Sequence, residues 1–472
     1  MKKLLLLLTL SCATWMALAN DNPAFNEQEI ISRIKQMKNG AVDARYTSVV
    51  RSYLKGYLDY RRSGSETTLG RSAMYFPMFE RELAAKDIPE DIKYLAIVES
   101  ALLPKAVSRA GAVGLWQFMP LTAKDMGLVN NSAVDERKDP FKSTQAAARY
   151  LKMQYNRFGS WELALAAYNG GSGTVSRAIK RARSKDFWAI RKYLPKETRN
   201  YVPAFIAATY LGKYYDEHDL SPNYPELDVQ LTAQMMVHDY VTFLKLSKLT
   251  GVDIDVIRTL NPGYKKDYIP SSKRGYSLIL PKRAMPSVRT YLQAMKPDSE
   301  KVDEPTLIAS LLAGVTPKED YYTEAKYTMR DGQTMDSLVQ LFQVDPFFIR
   351  VWNKMGQNAT LNVGQQIVLY GMHIKNVVEI EEEKAMVEAM PPVEEIEQLP
   401  TTELAEVEVE KVLPEGTFER DSYLFYTVES GENLEQIADR FEEVNIRDIM
   451  ILNNFRSMQI PQAGKAIKIK KI

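Results

Sequence analysis

The sequence is poor in the residues from which thiol and metal sites are built. Its 472 residues include one cysteine, Cys12, and three histidines. The histidines, His218, His238 and His373, lie far apart and lack the spacing of metal ligands. A zinc site and a Ser-His-Asp triad therefore have little basis. We expect no cofactor and no metal.

The chain also lacks an excess of charge and, beyond its N-terminus, any long apolar run. Its 61 lysines and arginines balance 60 aspartates and glutamates, and a net charge of +1 argues against nucleic acid as a partner. At the N-terminus, Lys2 and Lys3 precede an apolar run, and a small-residue cleavage site follows at Ala17-Leu18-Ala19. We predict that residues 1–19 are a secretory signal peptide.

Cleavage after Ala19 would leave a mature chain without cysteine, so a cysteine nucleophile is excluded and carboxylate chemistry remains. Cys12 could instead be a site of lipid attachment, although Thr9-Leu10-Ser11 before it is a poor lipobox. We expect contact with a membrane only if Cys12 is lipidated. An exported protein without disulfides indicates the bacterial periplasm or cell envelope, with association to the outer membrane left open.

A carboxylate interrupts the apolar face of a helix predicted to begin near Pro89. Glu99 follows Ile92, Leu95 and Ala96 at helical spacing, so it points inward. No basic residue shares this face, and burial favours the neutral form of a carboxyl group. Glu99 is therefore a candidate proton donor near neutral pH. A buried glutamate held by backbone amides is the alternative that this pattern leaves open.

Further motifs follow Glu99 in a fixed order over roughly one hundred residues. They are Glu99-Ser100 with Ser108, Gly114-Leu115-Trp116-Gln117, Ala167-Tyr168-Asn169-Gly170-Gly171 and Glu197-Thr198-Arg199-Asn200-Tyr201-Val202. This order resembles the lytic transglycosylases of the goose-lysozyme-like superfamily, which cleave the glycan strands of peptidoglycan. The chain departs from the family at Trp116, where Met is more usual, and at Gly170, where Ala is frequent. We expect altered subsite contacts and retained chemistry.

The resemblance implies that Glu99 is the sole catalytic residue, first as acid and then as base. The implied reaction cleaves the MurNAc-(β-1,4)-GlcNAc bond without water and leaves a 1,6-anhydro-MurNAc end. Apart from Glu197, no second carboxylate lies in the motifs, and Asp125 and Asp135 are the nearest downstream. The implied substrate-binding residues are Ser108, Trp116, Gln117, Tyr168, Asn169, Glu197 and Tyr201.

Three alternatives stay open at this point. For Glu197, an ordinary solvent-exposed carboxylate explains the residue nearly as well as a contact near the peptide stem. Within the enzymes, a hydrolysing lysozyme or chitinase would share much of the pattern. Outside them, a non-catalytic peptidoglycan-binding scaffold on a lysozyme-like core would also fit.

The second half of the chain contains a repeat. Tyr327-Thr328 and Tyr426-Thr427 each open a unit whose later residues agree in spacing, including Asn353 and Asn453. Each unit is predicted as strand, helix, helix, strand, and resembles the LysM module that binds glycans containing N-acetylglucosamine. A degenerate copy around residues 227–283 has Asn261 at a similar offset. Small packing units without ligand are the alternative.

We therefore predict a multidomain chain, with a mainly α lysozyme-like catalytic domain followed by small βααβ LysM modules. Its partner would be peptidoglycan glycan strands of N-acetylglucosamine and N-acetylmuramic acid. The acidic, proline-containing segment 371–423 is predicted to remain extended as a tether. The predicted parts are 1–19 signal peptide, 20–70 N-terminal helical region, 71–222 transglycosylase domain, 223–285 degenerate LysM-like module, 286–324 linker, 325–370 LysM module, 371–423 acidic linker and 424–472 LysM module.

Overall fold

The computed structural model describes residues 25–37, 40–296, 303–371 and 374–389, and 416–471 with gaps. The predicted signal peptide and Cys12 lie outside these residues. Contacts divide the chain into two units, Met1–Met390 and Pro391–Ile472. No helix in the described ranges is both long enough and apolar enough to cross a membrane.

The first part of the chain is helical. It contains a π-helix (Gly56–Tyr60) and short 3-10 helices at Glu90–Tyr94, Arg191–Tyr193 and Asp216–His218. The α-helices are α1 (Glu27–Gln36), α2 (Ser48–Lys55), α3 (Arg62–Ala84), α4 (Leu95–Ser100), α5 (Pro120–Asp125), α6 (Pro140–Phe158), α7 (Trp161–Gly170), α8 (Ser172–Ala182), α9 (Phe187–Ile190) and α10 (Lys196–Tyr214).

Side-chain caps determine where several of these helices begin. Asn26 accepts hydrogen bonds from the backbone amides of Gln28 and Glu29 and so caps α1. Asp139 accepts one from Lys142 at the start of α6, and Ser160 caps α7 in the same manner. These hydrogen bonds satisfy amide groups that have no partner within the helix.

One hydrophobic core joins all of these helices, from Phe25 to Leu220. Helix α10 packs against α2, α4 and α7 within this core. The predicted division between an N-terminal region ending at residue 70 and a domain starting at 71 is therefore wrong. Helix α3 crosses that position, and its residues Leu69 and Phe79 belong to the same core.

Small modules of paired strands and helices follow. The first module (residues 232–281) pairs β1 with β4 and β2 with β3, the second (324–370) pairs β5 with β6, and the last (417–471) has the order β7-β8-β9. All pairs are antiparallel. Their elements are β1 (Thr232–Val237), β2 (Val241–Thr242), α12 (Phe243–Thr250), α13 (Ile254–Leu260), β3 (Tyr268–Ile269), β4 (Tyr276–Pro281), β5 (Glu324–Thr328), α17 (Met335–Phe342), α18 (Pro346–Trp352), β6 (Gln366–Tyr370), β7 (Thr417–Arg420), β8 (Tyr423–Thr427), α20 (Leu434–Ala438) and β9 (Ala466–Lys471).

The repeated asparagine has the same role in each module. Asn353 donates to the carbonyls of Ile349 and Val368, at 2.8 Å each, and accepts from the amide of Val368 at 2.7 Å. Asn261 and Asn453 make the equivalent three hydrogen bonds in the first and last modules. The asparagine thus joins the residue four positions before it to the last strand of the module, which explains its recurrence in the sequence.

The connectors contain more helix than predicted. Helix α11 (Leu227–Gln230) precedes the first module, and a 3-10 turn (Lys282–Ala284) follows it. In the predicted linker 286–324 lie α14 (Met285–Ala294), α15 (Glu304–Ala313) and α16 (Lys318–Tyr321), and α14 and α15 pack on α12. The acidic segment begins with α19 (Ile374–Ala389), because Ile374 and Val378 bury one apolar face against the second module. Residues 390–415 lie outside the described part.

The predicted fold class is confirmed. A mainly helical domain comes first, and small modules that contain paired strands follow it. The second and last modules have the predicted strand at each end.

Candidate active site

Glu99 lies in the last turn of a short helix. The 3-10 helix Glu90–Tyr94 continues into α4, which ends where Ala101 and Leu102 adopt left-handed backbone angles (φ +51° and +58°). The neighbouring Ser100 donates to the carbonyl of Leu115 at 2.9 Å. This hydrogen bond holds the end of α4 against the loop that carries the next motif.

The environment of Glu99 favours its protonated form. Its side chain is half-buried, and burial raises the pKa of Glu99 to about 7. A hydrogen bond from the hydroxyl of Tyr201 lowers this pKa, whereas the charge of Glu197 raises it. No lysine or arginine of the described chain is among the groups that act on it. The predicted inward carboxylate without a cationic partner is confirmed.

Two tyrosines lie close to Glu99. Burial, and secondly the charge of Glu99, raise the pKa values of Tyr168 and Tyr201 well above the usual value. Both hydroxyls therefore remain protonated and can donate hydrogen bonds. Tyr201 donates to Glu99, and Tyr168 donates to the carbonyl of Trp116 at 2.7 Å. The ring of Tyr168 packs on Tyr150, with 5.4 Å between centroids.

Ser108 and Gln117 lie in the loop between α4 and α5, and both hold the loop together. Ser108 Oγ accepts from the amide of Ala112 at 3.0 Å. Gln117 Nε2 donates to the carbonyls of Gly114 and Ala106, at 2.9 and 3.3 Å. Both side chains remain partly exposed. Their predicted substrate contacts stay predictions, although the loop they shape is joined to α4 through Ser100.

Gly114 allows this loop to pack closely. Its φ is +91°, and a Cβ atom there would lie 1.8 Å from the carbonyl oxygen of Arg137. Since that neighbour is backbone, a larger residue could be accommodated only if the loop moved.

The predicted contact of the Trp116 side chain with substrate is wrong. Its indole is completely buried, packs on Phe79 at 4.9 Å, and donates from Nε1 to Thr144 at 2.9 Å. The ring sits at the position of an apolar core residue, which is why a tryptophan can stand where methionine is more usual. Only the backbone carbonyl of Trp116 reaches the site, where it fixes Tyr168.

Helices α7 and α10 bring Asn169, Glu197 and Tyr201 to this region. Asn169 Oδ1 accepts a hydrogen bond from the Thr198 hydroxyl at 2.8 Å. Glu197 is exposed at the first turn of α10, and Tyr201 follows one turn later. Thr198 belongs to the fourth motif, but the sequence predicts no function for it. It lies three residues before Tyr201 and so shares a helix face with it, but this spacing gives no sign of the contact with Asn169.

The two aspartates nearest downstream of Glu99 lack the features of a second catalytic carboxylate. Asp135 is buried, and its two oxygens accept from Arg137 at 2.9 Å each. Asp125 is exposed at the end of α5. Glu99 is thus the carboxyl group of the ordered motifs that combines burial with a tyrosine partner.

Three segments of the chain match known protein families. Residues 76–191 match the family described as Transglycosylase SLT domain. Residues 232–297 match the Lytic transglycosylase MltD, LysM-like domain, and residues 426–470 match the LysM domain. The chain is therefore a lytic transglycosylase in which a catalytic SLT domain precedes LysM-type modules.

Individual proteins and one solved structure are also similar to parts of the chain. The chain is similar to membrane-bound lytic murein transglycosylase D of Escherichia coli K12, with 29% identity over 326 residues and 68% of each chain covered. The soluble lytic murein transglycosylase of the same organism is 32% identical over 149 residues, which cover 30% of this chain and 23% of that one. The crystal structure of the 70 kDa soluble lytic transglycosylase from E. coli aligns with 30% identity and a TM-score of 0.27, covering 31% of this chain and 25% of the other.

Proposed function

We propose that the protein cleaves the MurNAc-(β-1,4)-GlcNAc bond of peptidoglycan without water and leaves 1,6-anhydro-MurNAc ends. The observation that carries this proposal is Glu99, a half-buried carboxyl group with a pKa near 7 and a tyrosine donor. The relatives named for murein transglycosylase activity supply the substrate class.

Glu99 is suited to give up a proton and then to recover one. In its protonated form it transfers a proton to the glycosidic oxygen as the bond between that oxygen and the sugar C1 breaks. The resulting carboxylate is stabilised by the Tyr201 hydroxyl. It then accepts the proton of the muramyl 6-hydroxyl as this oxygen bonds to C1, so Glu99 ends protonated and no water is consumed.

The absence of a second suitable carboxylate in the motifs supports an intramolecular route. Most glycosidases use a second carboxylate as a nucleophile or as a base for water. Asp135 is held by Arg137, and Asp125 and Glu197 are exposed, so we infer that the substrate's own N-acetyl group and 6-hydroxyl take these roles. A hydroxyl can donate while it accepts, so Ser108 can still offer its proton to the N-acetyl group.

The remaining residues would bind and orient the glycan. Gln117 would contact the substrate carboxyl group, Asn169 a sugar, and Glu197 the region of the peptide stem. Tyr168 would form one wall of the site, because its hydroxyl is fixed on the Trp116 carbonyl. Trp116 would act through that carbonyl alone.

The LysM-type modules would anchor the enzyme to glycans that contain N-acetylglucosamine. This proposal rests on the matched LysM families and on the structural repeat that the three asparagines define. A peptidoglycan substrate places the protein in the cell envelope. The signal peptide and periplasmic location remain proposals drawn from the sequence.

The test compares the products of wild-type and Glu99→Gln protein on purified sacculi by mass spectrometry. We expect the wild type to release anhydro-muropeptides and Glu99→Gln to lose roughly 100- to 10,000-fold in rate with an unchanged circular dichroism spectrum. Products heavier by one water would instead establish a hydrolase. Binding to sacculi with no product from the wild type would establish the non-catalytic scaffold.

A further inference from the structure

We propose that the second module fixes the position of the active-site helices, with Gln357 and Phe347 as the positioning residues. We call these two residues and their contacts with the transglycosylase domain the brace. Both belong to the β5-α17-α18-β6 unit and contact the transglycosylase domain. This role is separate from glycan binding, although it rests on the proposed function of Glu99.

The brace acts on Tyr94, the last residue of the 3-10 helix that leads into α4. Tyr94 is buried and donates from its hydroxyl to Gln357 Oε1 at 2.7 Å. Gln357 Nε2 in turn donates to Glu90 at 3.1 Å, in the first turn of the same 3-10 helix. One side chain of the module thus holds both ends of the segment that leads directly to Glu99.

A second set of contacts reaches the aromatic residues behind this segment. The Phe347 ring lies 6.0 Å from that of Phe76 on α3, and Phe76 meets the Tyr94 ring edge-on at 5.5 Å. Phe347 therefore supports Tyr94 through one intermediate ring. Aromatic pairs of this geometry add to the stability of the contact beyond the area that they bury.

Tyr94 also fixes the helix that carries Tyr201. Its ring lies so close to Gly212 of α10 that a Cβ atom there would be 2.0 Å from Tyr94 Cε1. The adjacent Lys213 pairs with Asp91 at 2.7 Å. At 1.5 Å per residue, Gly212 lies about 16 Å along the helix axis from Tyr201, so the far end of α10 is held where α4 begins.

The module binds the end of α10 directly as well. The amide of Gly356 donates to Asp216 Oδ2 at 3.1 Å, and the Tyr215 hydroxyl donates to the carbonyl of Met355 at 3.2 Å. A Cβ atom at position 356 would lie 2.1 Å from Asp216 Oδ2, so a larger residue would displace that carboxylate. The elements that bring Glu99 and Tyr201 together are thus both anchored on one loop of the module, residues 355–357.

A hydrogen bond between two side chains on different helices depends on the relative position of those helices. If the brace is weakened, we expect the contact from Tyr201 to Glu99 to loosen and water to reach Glu99. Because burial is the larger influence on Glu99, its pKa should then fall. Glu99 would then lose its proton at a lower pH, and turnover would decrease even when substrate binding is unchanged.

The experiment uses the full chain with Phe347→Ala and Gln357→Ala combined. We expect kcat on soluble glycan strands to fall about 5- to 50-fold with KM within about twofold, since misplacement of reacting groups mainly affects turnover. The alkaline limb of the pH profile should move to lower pH. Hydrogen exchange should increase in residues 90–100 and 205–216.

Two controls make the result specific. Gln340→Ala changes an exposed glutamine of the same module and should leave all of these measurements unchanged. The single variants Phe347→Leu and Phe347→Ala are also compared. Phe347→Leu keeps an apolar contact and should retain most of the turnover that Phe347→Ala loses. Increased exchange with unchanged kcat and pH profile would overturn the proposal, and so would unchanged exchange. A rise in KM alone would also overturn it, by assigning these residues to substrate binding. Activity that survives Glu99→Gln would instead refute the proposed function.

Discussion

At the scale of single residues, Tyr201 and Glu197 act on Glu99 in opposite directions. The hydrogen bond from Tyr201 stabilises the carboxylate and lowers the pKa of Glu99, while the negative charge of Glu197 raises it. Tyr168 faces the same carboxyl group and remains neutral because its own pKa is well above the usual value. The pH dependence of the enzyme therefore reports on both neighbours.

Substituting each neighbour should shift the pH profile in opposite directions. Under the proposed function Glu99 is a general acid and must be protonated, so activity should fall as pH rises through its pKa, about 7. Tyr201→Phe removes the hydrogen bond and should move this alkaline limb to higher pH. Glu197→Gln removes a negative charge and should move it to lower pH. The measurement is kcat/KM against pH on soluble glycan strands.

A matched control for the tyrosine is Tyr193→Phe, which alters a more exposed tyrosine outside the hydrogen bond to Glu99. It should leave the limb in place. If Tyr201→Phe and Glu197→Gln moved the limb in the same direction, the electrostatic account of Glu99 would be wrong.

The sequence was sufficient to find Glu99, because helical periodicity reveals a carboxylate on an apolar face whatever surrounds it. It was insufficient for Trp116, because a motif position does not distinguish a side chain in the cleft from one in the core beneath it. The hydrogen bond between Thr198 and Asn169 joins residues 29 positions apart, and only the packing of α7 on α10 brings them together.

At the scale of elements, the approach of α7 to α10 depends on a glycine that departs from the family pattern. A Cβ atom at Gly170 would lie 2.5 Å from Thr198 Oγ1 and 2.9 Å from its Cγ2. Thr198 is buried, and its branched side chain has little freedom to move. The glycine at position 170 and the threonine at position 198 therefore fit each other.

We predict that Gly170→Ala destabilises the transglycosylase domain by about 1 to 3 kcal/mol, as expected for overpacking. Calorimetric unfolding measures the effect. The double variant Gly170→Ala with Thr198→Ala should recover most of the loss, because it removes the two nearest atoms. No second substitution should restore the stability of Gly114→Ala in the same way, since the atom nearest to the new Cβ is a backbone carbonyl oxygen. Equal stability of wild type and Gly170→Ala would contradict this account.

The connectors show why composition alone misled the prediction at this scale. Charged and proline-containing segments are expected to be extended, yet these segments contain the helices α14, α15 and α19. In each of these helices a few apolar residues at helical spacing pack on an adjacent module, as Val288 and Leu311 do in the first module. The pattern was present but short, and only a neighbouring surface makes such a helix stable.

At the scale of the whole molecule, the modules fall into two groups. The first and second modules belong to the same contact unit as the transglycosylase domain, whereas the last module belongs to the unit that begins at Pro391. Under the proposed function, the second module would serve the geometry of the active site. The last module would serve binding to the wall, where a second point of attachment raises the effective concentration of glycan.

This division predicts different effects of truncation on soluble and insoluble substrates. A chain ending at Met390 keeps the active site and the proposed brace, so its turnover of soluble glycan strands should stay within about twofold of wild type. Its binding to sacculi should weaken by about 100-fold or more, because the second attachment is lost. Binding is measured by co-sedimentation in the Glu99→Gln background, in which the sacculi stay intact, with full-length Glu99→Gln as the control. Undiminished binding would show that the last module is not an anchor, and a large loss of soluble turnover would show that it takes part in the active site.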